Sequence, residues 1–483
     1  MGKDFGPHSD VGFSSALDLA AQLRGKEISS AELAECLIER IQAIDDGPID
    51  VNPKEGAQGL QSVLAFNAQH DDQECNTQGP LAGLPILIKD NIEALGLPAT
   101  AGSLALAGRT VVQDAPLVRA LRQCGARILG STNLSEWANI RSQNSTSGWS
   151  AIGGLTANPW NYARSAGGSS SGSGAAVAAG LIPFAIGTET DGSIVCPASL
   201  NGCVGIKPTV GIVSTQGVVP VSASQDSPGP LARSVSDAAL LLDALTGLTT
   251  LDACTANAPL RIAVVRQWVT EDDATTAVLD QAISALSRAG FVITQVDVAD
   301  ADNSVDDDEG IVLLHELVED LGAYLKNRAG TGVSSLQDVI AFNQEHHDIE
   351  LEHFGQDLFE LAQASGGRNS TYRAARSRNL EWALTKVLGP ALHGVDVAIG
   401  ATYSPAWISN LGGGDDYSSA SPITTAPAIA GWPIGCLPMG FVDGMPVGLG
   451  VVARAHDEIT LVRAMAQIER SLGLGILRPT FIR

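Results

Sequence analysis

The chain has 483 residues, 45% of them hydrophobic and 17% charged, enough apolar material for a large core and far from the composition of a disordered chain. Its 29 Lys and Arg against 53 Asp and Glu give a formal net charge of −24, which repels a phosphate backbone and argues against nucleic acid as a partner. No apolar run is long enough to cross a bilayer, and Met1 to Pro7 lack the charged-then-apolar layout of a signal peptide, so the chain reads as cytoplasmic with no membrane partner.

The first predicted element opens at Ser29-Ser30-Ala31-Glu32, a capping box ahead of the apolar stripe Leu33, Cys36, Leu37 and Ile41. Leu84 to Ile88 is a short apolar run that suits a buried strand and delivers Lys89 at its end. Leu117 to Cys124 reads as a helix and Gly125 to Gly130 as turn and strand, so a βαβ rhythm begins and predicts a largely parallel sheet. Between Ser165 and Gly205 the composition shifts to Gly, Ser and Ala, with Ala175 to Leu181 helical and Ile182 to Gly187 a strand. Further on, Asp237 to Leu245 reads as a helix, and Leu260 to Val265, Thr275 to Ala289 and Val292 to Val298 as strand, helix, strand. Asp302 to about Leu388 is helical and holds four of the eight histidines, like a cap laid over the core. Strands return at Val395 to Ile399 and Val447 to Val452 before a closing helix, Asp457 to Leu472. With no internal repeat or low-complexity linker, the expected organisation is one domain, 1–483, carrying a helical insertion at about 302–388.

Two segments carry candidate chemistry. The tract Ala166-Gly167-Gly168-Ser169-Ser170-Ser171-Gly172-Ser173-Gly174 would in isolation be a flexible loop. It runs straight into the apolar Ala175 to Ala179, however, so its glycines suit a close backbone approach at a helix start. It lacks the GKS or GKT ending of a phosphate loop. Gly168 to Gly172 fits the GxSxG elbow with Ser170 central, yet Asn158 to Asn161 reads as a turn where an elbow needs a strand. The second segment, Gly187 to Ala198, is a strand end, a polar turn and a helix start, and such a turn can aim successive N–H groups at one point. On this segment alone Ser193 serves equally as a nucleophile beside that turn or as the cap of the next helix.

A serine nucleophile needs a base. None of the eight histidines lies in the Gly/Ser segment, and no lysine has a serine three positions before it. Lys89 leaves an apolar strand, where burial would lower its pKa and free a neutral amine; taken alone, a solvated strand-end charge is the slightly favoured reading. The seven cysteines, Cys36, Cys75, Cys124, Cys196, Cys203, Cys254 and Cys436, lack metal or redox spacing and read as reduced thiols.

Gly83 to Asp90, Gly167 to Ser173, and Gly187 to Ala198 with Gly205-Ile206-Lys207-Pro208-Thr209 together resemble the amidase signature family, supported by Asn158-Pro159-Trp160 and Asp226 to Arg233. The resemblance spans nearly the whole chain. Ser169 and Ser193 lie 24 residues apart, as do the family's two catalytic serines. It implies an α/β fold with a large mixed, mostly parallel central sheet covered by helices on both faces, and a signature core at about 80–250. It implies Ser193 as nucleophile, Ser169 as a bridging serine on a cis peptide, Lys89 as terminal base, and the backbone N–H groups of Thr190, Asp191, Gly192 and Ser193 as an oxyanion hole. The chemistry so implied uses no cofactor and no metal.

Many family members carry Asp where this chain has Glu189, Gly where it has Asp191, and Arg where Val195 stands before Cys196-Pro197. The string Glu189 to Pro197, with Ser147 to Ser150 and Ala341 to Gln344, most resembles bacterial peptide amidases, which implies a peptide or small-molecule amide as substrate and a monomer or homodimer. The alternatives are an aryl or alkyl amidase and the ammonia-generating component of an amidotransferase. The substrate pocket is expected between Asn139–Trp149, Val312–Phe354 and Ala401–Tyr417.

Overall fold

The computed structural model describes residues 11–45, 59–67, 78–108, 111–328, 330–418 and 420–479. Eleven of its strands build one sheet: β1 (Val63–Phe66), β2 (Pro85–Lys89), β3 (Arg127–Thr132), β4 (Phe184–Glu189), β5 (Val204–Lys207), β6 (Ser227–Ala232), β7 (Arg261–Val265), β8 (Val292–Val296), β9 (Val397–Ala401), β10 (Ile434–Val442) and β11 (Met445–Val452). Across the sheet they stand in the order β1-β3-β2-β4-β6-β5-β10-β11-β9-β7-β8. Flanking helices include α1 (Ala16–Gly25), α2 (Ser30–Ile44), α3 (Pro116–Gln123), α4 (Ser171–Ala178), α5 (Val195–Asn201), α6 (Val235–Thr246) and α7 (Asp273–Arg288). Next come α8 (Asn303–Asn327), α9 (Leu336–Glu345), α10 (Asp357–Ser365), α11 (Ser370–Glu381) and α12 (Glu458–Leu472).

Several elements form for the reasons legible in their sequence. At α2, Ser29 Oγ accepts the Glu32 N–H at 3.2 Å and Glu32 accepts the Ser29 N–H at 2.8 Å. In β2 every residue is buried, as befits a strand covered on both faces. Each fully buried aliphatic such as Leu87 or Ile88 contributes about 1.5–3 kcal/mol.

The sheet is mixed, but the expected parallel majority is not observed: six of its ten strand pairings are antiparallel and four parallel. The βαβ units β2-α3-β3 and β7-α7-β8 lie towards the two ends, while the middle, β4-β6-β5-β10-β11-β9, is antiparallel throughout. Those middle strands carry weak sequence signals. β6 is Ser-Pro-Gly-Pro-Leu-Ala, and proline within a run argues against a central strand. It is tolerated here because β5 pairs with Leu231 and Ala232 alone, leaving Pro228 and Pro230 outside that ladder. The β10-β11 hairpin had a readable mark, Asp443-Gly444, whose two residues take φ of 49° and 77° as a two-residue I′ turn requires.

Helices α8 to α10 share an apolar cluster in which Leu317, Leu321, Val339 and Phe359 meet Leu106 and Trp137. A second tie is electrostatic: fully buried Arg141 pairs with Glu136 at 2.7 Å and donates to the Glu350 carbonyl. No helix among the described residues is long and apolar enough to cross a membrane.

Candidate active site

Strand β2 ends on Lys89, which is wholly buried, against the solvated-charge reading. Its Nζ lies 2.8 Å from Ser169 Oγ, 2.9 Å from Thr188 Oγ1 and 3.2 Å from the Thr188 carbonyl oxygen. Burial pulls the amine from 10.5 to about 7, against the opposing charges of Asp226 and Glu189. A neutral amine has two N–H donors and one lone pair, so three partners of this kind suit it: two acceptors on Thr188 and a hydroxyl on Ser169.

Ser169 follows a cis peptide from Gly168 and is itself buried. The neighbouring serines are spent on structure. Ser170 Oγ donates to the Thr188 carbonyl at 3.0 Å and accepts the Thr188 N–H at 3.1 Å, while Ser173 Oγ donates to the Ile186 carbonyl at 3.1 Å. These bonds seat the start of α4 against β4. Glycine is needed at 172, where a Cβ would lie 2.2 Å from the Ser62 carbonyl oxygen. A short strand, Asn161–Ser165, does precede the tract, after the turn read at Asn158 to Asn161; it pairs with Ala157–Asn158 and is bridged to Ile408 rather than standing in the central sheet. Ser170 is no elbow nucleophile, because both hydrogen-bonding sides of its hydroxyl face Thr188.

β4 gives way at Thr190 to the turn that presents Ser193. Gly192 takes φ of 75°, and a Cβ there would meet Tyr403 Oη at 2.5 Å. Ser193 does not cap α5; its N-cap is Ile194, without a side-chain bond. Glu189 performs that task instead, its Oε2 accepting the N–H groups of Ile194 at 2.7 Å and Val195 at 2.9 Å. Burial raises the Glu189 carboxyl, while Lys207 and the N–H groups of Val195, Ile194 and Gly192 hold it down. The N–H groups of Thr190, Asp191 and Ser193 donate to no other protein group among the described residues. The Ser193 carbonyl accepts the Ser170 N–H at 3.1 Å, which joins the two candidate segments.

Of the candidates Lys89, Ser169 and Ser193, it is Ser193, at 9% exposure, that lines a cavity, with Thr190 and Asp191 beside it; Ser169 and Lys89 are at 0%. The cavity holds about 550 Å³ and is bordered by Asn139, Tyr403, Tyr417 and Thr424 as well as Ser193. Two of the expected walls are in place, but α8 contributes Asp306, Glu309 and Leu313 from its first half rather than the stretch 312–354 as a whole. Three carboxylates, Asp191, Asp306 and Glu309, border the cavity, and none of its described lining residues is Lys, Arg or His. Burial first, then Glu189 and Asp306, lifts Asp191 to about 6. Burial, with Asp191 and Asp306, lifts Glu309 well above the carboxylate range. Among the described residues no group of three or more His, Cys, Asp or Glu side chains is placed to hold a metal. The six described cysteines are free thiols, and Cys75 lies outside the described residues.

The profile of the Amidase family matches residues 60–462. The chain belongs to the amidase family. A probable amidase of Arabidopsis thaliana is 36% identical over 92% of this chain and 90% of its own length. A glutamyl-tRNA(Gln) amidotransferase subunit of Moorella thermoacetica is 33% identical over 97% and 98%. The native peptide amidase of Stenotrophomonas maltophilia superposes with a TM-score of 0.87 at 36% identity, covering 99% of this chain and 100% of that one. The chain thus has the amidase fold and is an amide-hydrolysing enzyme.

The sequence reading missed Glu189 as a cap and Asp226 as a partner of the turn. The acidic run Asp306-Asp307-Asp308-Glu309 was visible, but nothing in it tells which residues face a cavity over 110 positions from Ser193.

Proposed function

We propose that this amidase hydrolyses the C-terminal amide of peptides, or a related small amide, to the acid and ammonia or amine through an acyl-enzyme on Ser193. Ser193 Oγ attacks the carbonyl as its proton passes to Ser169 and the Ser169 proton passes to neutral Lys89. The N–H groups of the turn, Thr190 to Ser193, take up the charge on the carbonyl oxygen. Lys89 then returns its proton through Ser169 to the departing nitrogen, the C–N bond breaks, and water attacks the ester by the same relay in reverse. The observation that carries this reading is the 2.8 Å contact between Ser169 Oγ and a buried lysine brought to about 7.

The cavity supports a peptide amide over glutamine. Glutamine brings a free carboxylate, which Asp191 and Asp306 oppose and no basic lining residue accepts. A peptide amide brings none at the reacting end, and its carboxylate product is repelled once formed. The test is a panel of peptide amides, aryl amides and free glutamine, assayed by ammonia release. Peptide amides are expected to turn over, with Ser193→Ala inactive and Ser169→Ala and Lys89→Ala slowed by at least about 100-fold. Turnover of glutamine alone would assign the chain to transamidation instead.

A further inference from the structure

β4 and β6 run antiparallel up to the pair Glu189 and Ser227. One residue beyond that pair on either strand stand Thr190 and Asp226, and Thr190 Oγ1 donates to Asp226 Oδ1 at 2.6 Å. The second oxygen of Asp226 accepts the N–H groups of Val221 at 2.9 Å and Ser222 at 3.0 Å, closing the loop 221–226 on itself. Helix α8 grips the same loop from outside. Its Glu316 Oε2 accepts Ser222 Oγ at 2.6 Å and the Ser224 N–H at 3.0 Å, Asp320 accepts the Ala223 N–H at 3.0 Å, and Glu309 accepts Gln225 Nε2 at 2.7 Å.

We propose that Asp226 is a positioning residue: through Thr190 it fixes the turn that presents Ser193, and through loop 221–226 it ties that turn to α8, which walls the cavity. The proposal rests on the reading of Ser193 as nucleophile and Lys89 as base. An amide in place of the carboxylate offers one oxygen where two now accept, so either the Thr190 hydroxyl or the N–H groups of Val221 and Ser222 lose their acceptor and the tie between the turn and loop 221–226 is broken. Displacement of α8 by a substrate would be felt at Thr190 through two successive hydrogen bonds. Asp226 also faces Lys89 electrostatically, more strongly than Glu189, the other charge acting on it; the remaining groups at the amine, Ser169 and Thr188, are uncharged. Burial lifts the Asp226 carboxyl to about 6, with Thr190, Val221 and Ser222 holding it down and Asp320 pushing it up, so it is ionised at neutral pH.

Asp226→Asn and Thr190→Val separate these roles. Both are expected to lower kcat per fluorophosphonate-titrated site at least about tenfold with KM changed less than about threefold. Only Asp226→Asn is expected to move the acid limb of kcat/KM to lower pH, since a negative charge that favours protonated Lys89 is gone. A residue that merely supported the fold would lower the melting temperature and the titrated fraction, and would leave kcat per site and the limb in place; that result overturns the proposal. Should Asp226→Asn fail to fold, Thr190→Val decides, with wild-type kcat overturning the anchoring role. A wild-type enzyme with no acid limb would instead overturn the reading of Lys89 on which the proposal rests.

Discussion

Acidification through pH 7 should silence this enzyme by protonating Lys89. With the amine at about 7, close to half of the molecules carry a neutral lysine at pH 7, and about a tenth do at pH 6. An ordinary lysine at 10.5 would be neutral in roughly one molecule in three thousand at pH 7. A plot of log kcat/KM against pH for a peptide amide should therefore fall with a slope of one below about 7. Unfolding by the same group does not imitate this limb. Its pKa is lower in the folded state, so between 10.5 and about 7 the unfolded chain binds the extra proton; the stability lost from Lys89 accrues over that window as pH falls and is complete below it. Lys89→Arg keeps the cation but cannot release a proton, and should cost at least about 1,000-fold in kcat. Steady-state ammonia release from pH 5 to 9, with melting temperatures at each pH, is the assay. A profile flat through 7, a limb near 10, or an active Lys89→Arg enzyme would refute the reasoning.

Two further outcomes follow from the cavity and the turn. Glu189→Ala strips the acceptor from the N–H groups of Ile194 and Val195, and should cost about 2 kcal/mol in chemical denaturation together with a fall in kcat, whereas Glu189→Gln, which keeps one oxygen, should recover most of the stability. Amides whose acyl side bears a cation should exceed matched anionic ones in kcat/KM by about tenfold at low ionic strength, a gap that Asp306→Asn and added salt should narrow; equal rates would show that the acidic wall does not act on substrate.

What the sequence displays and what it hides divide along physical lines. The place of Lys89 at the end of an apolar strand was legible because that pattern is local, as is the capping box of α2, whereas its complete burial was not, since residues distant in sequence such as Ser169 and Thr188 enclose it. The antiparallel middle of the sheet was not, since β6 contains two prolines whose tolerance depends on a neighbouring strand that stops short of them. The cap of α5 shows the same limit. Periodicity offers Ser193 as the nearest capping residue, whereas the fold turns Glu189 back across the loop to take both N–H groups. That Asp306 and Glu309, but not the whole stretch 312–354, border the cavity depends on how α8 is rotated against loop 221–226, which hydrogen bonds between distant residues decide.

The central claim is that Ser193 becomes acylated. Acid quench during turnover of a slowly deacylating aryl amide, followed by peptide mass analysis, should find the acyl mass on the peptide containing Ser193 and lose it in Ser193→Ala. Acyl mass on Ser169 or Ser170, or undiminished turnover by Ser193→Ala, would contradict the account.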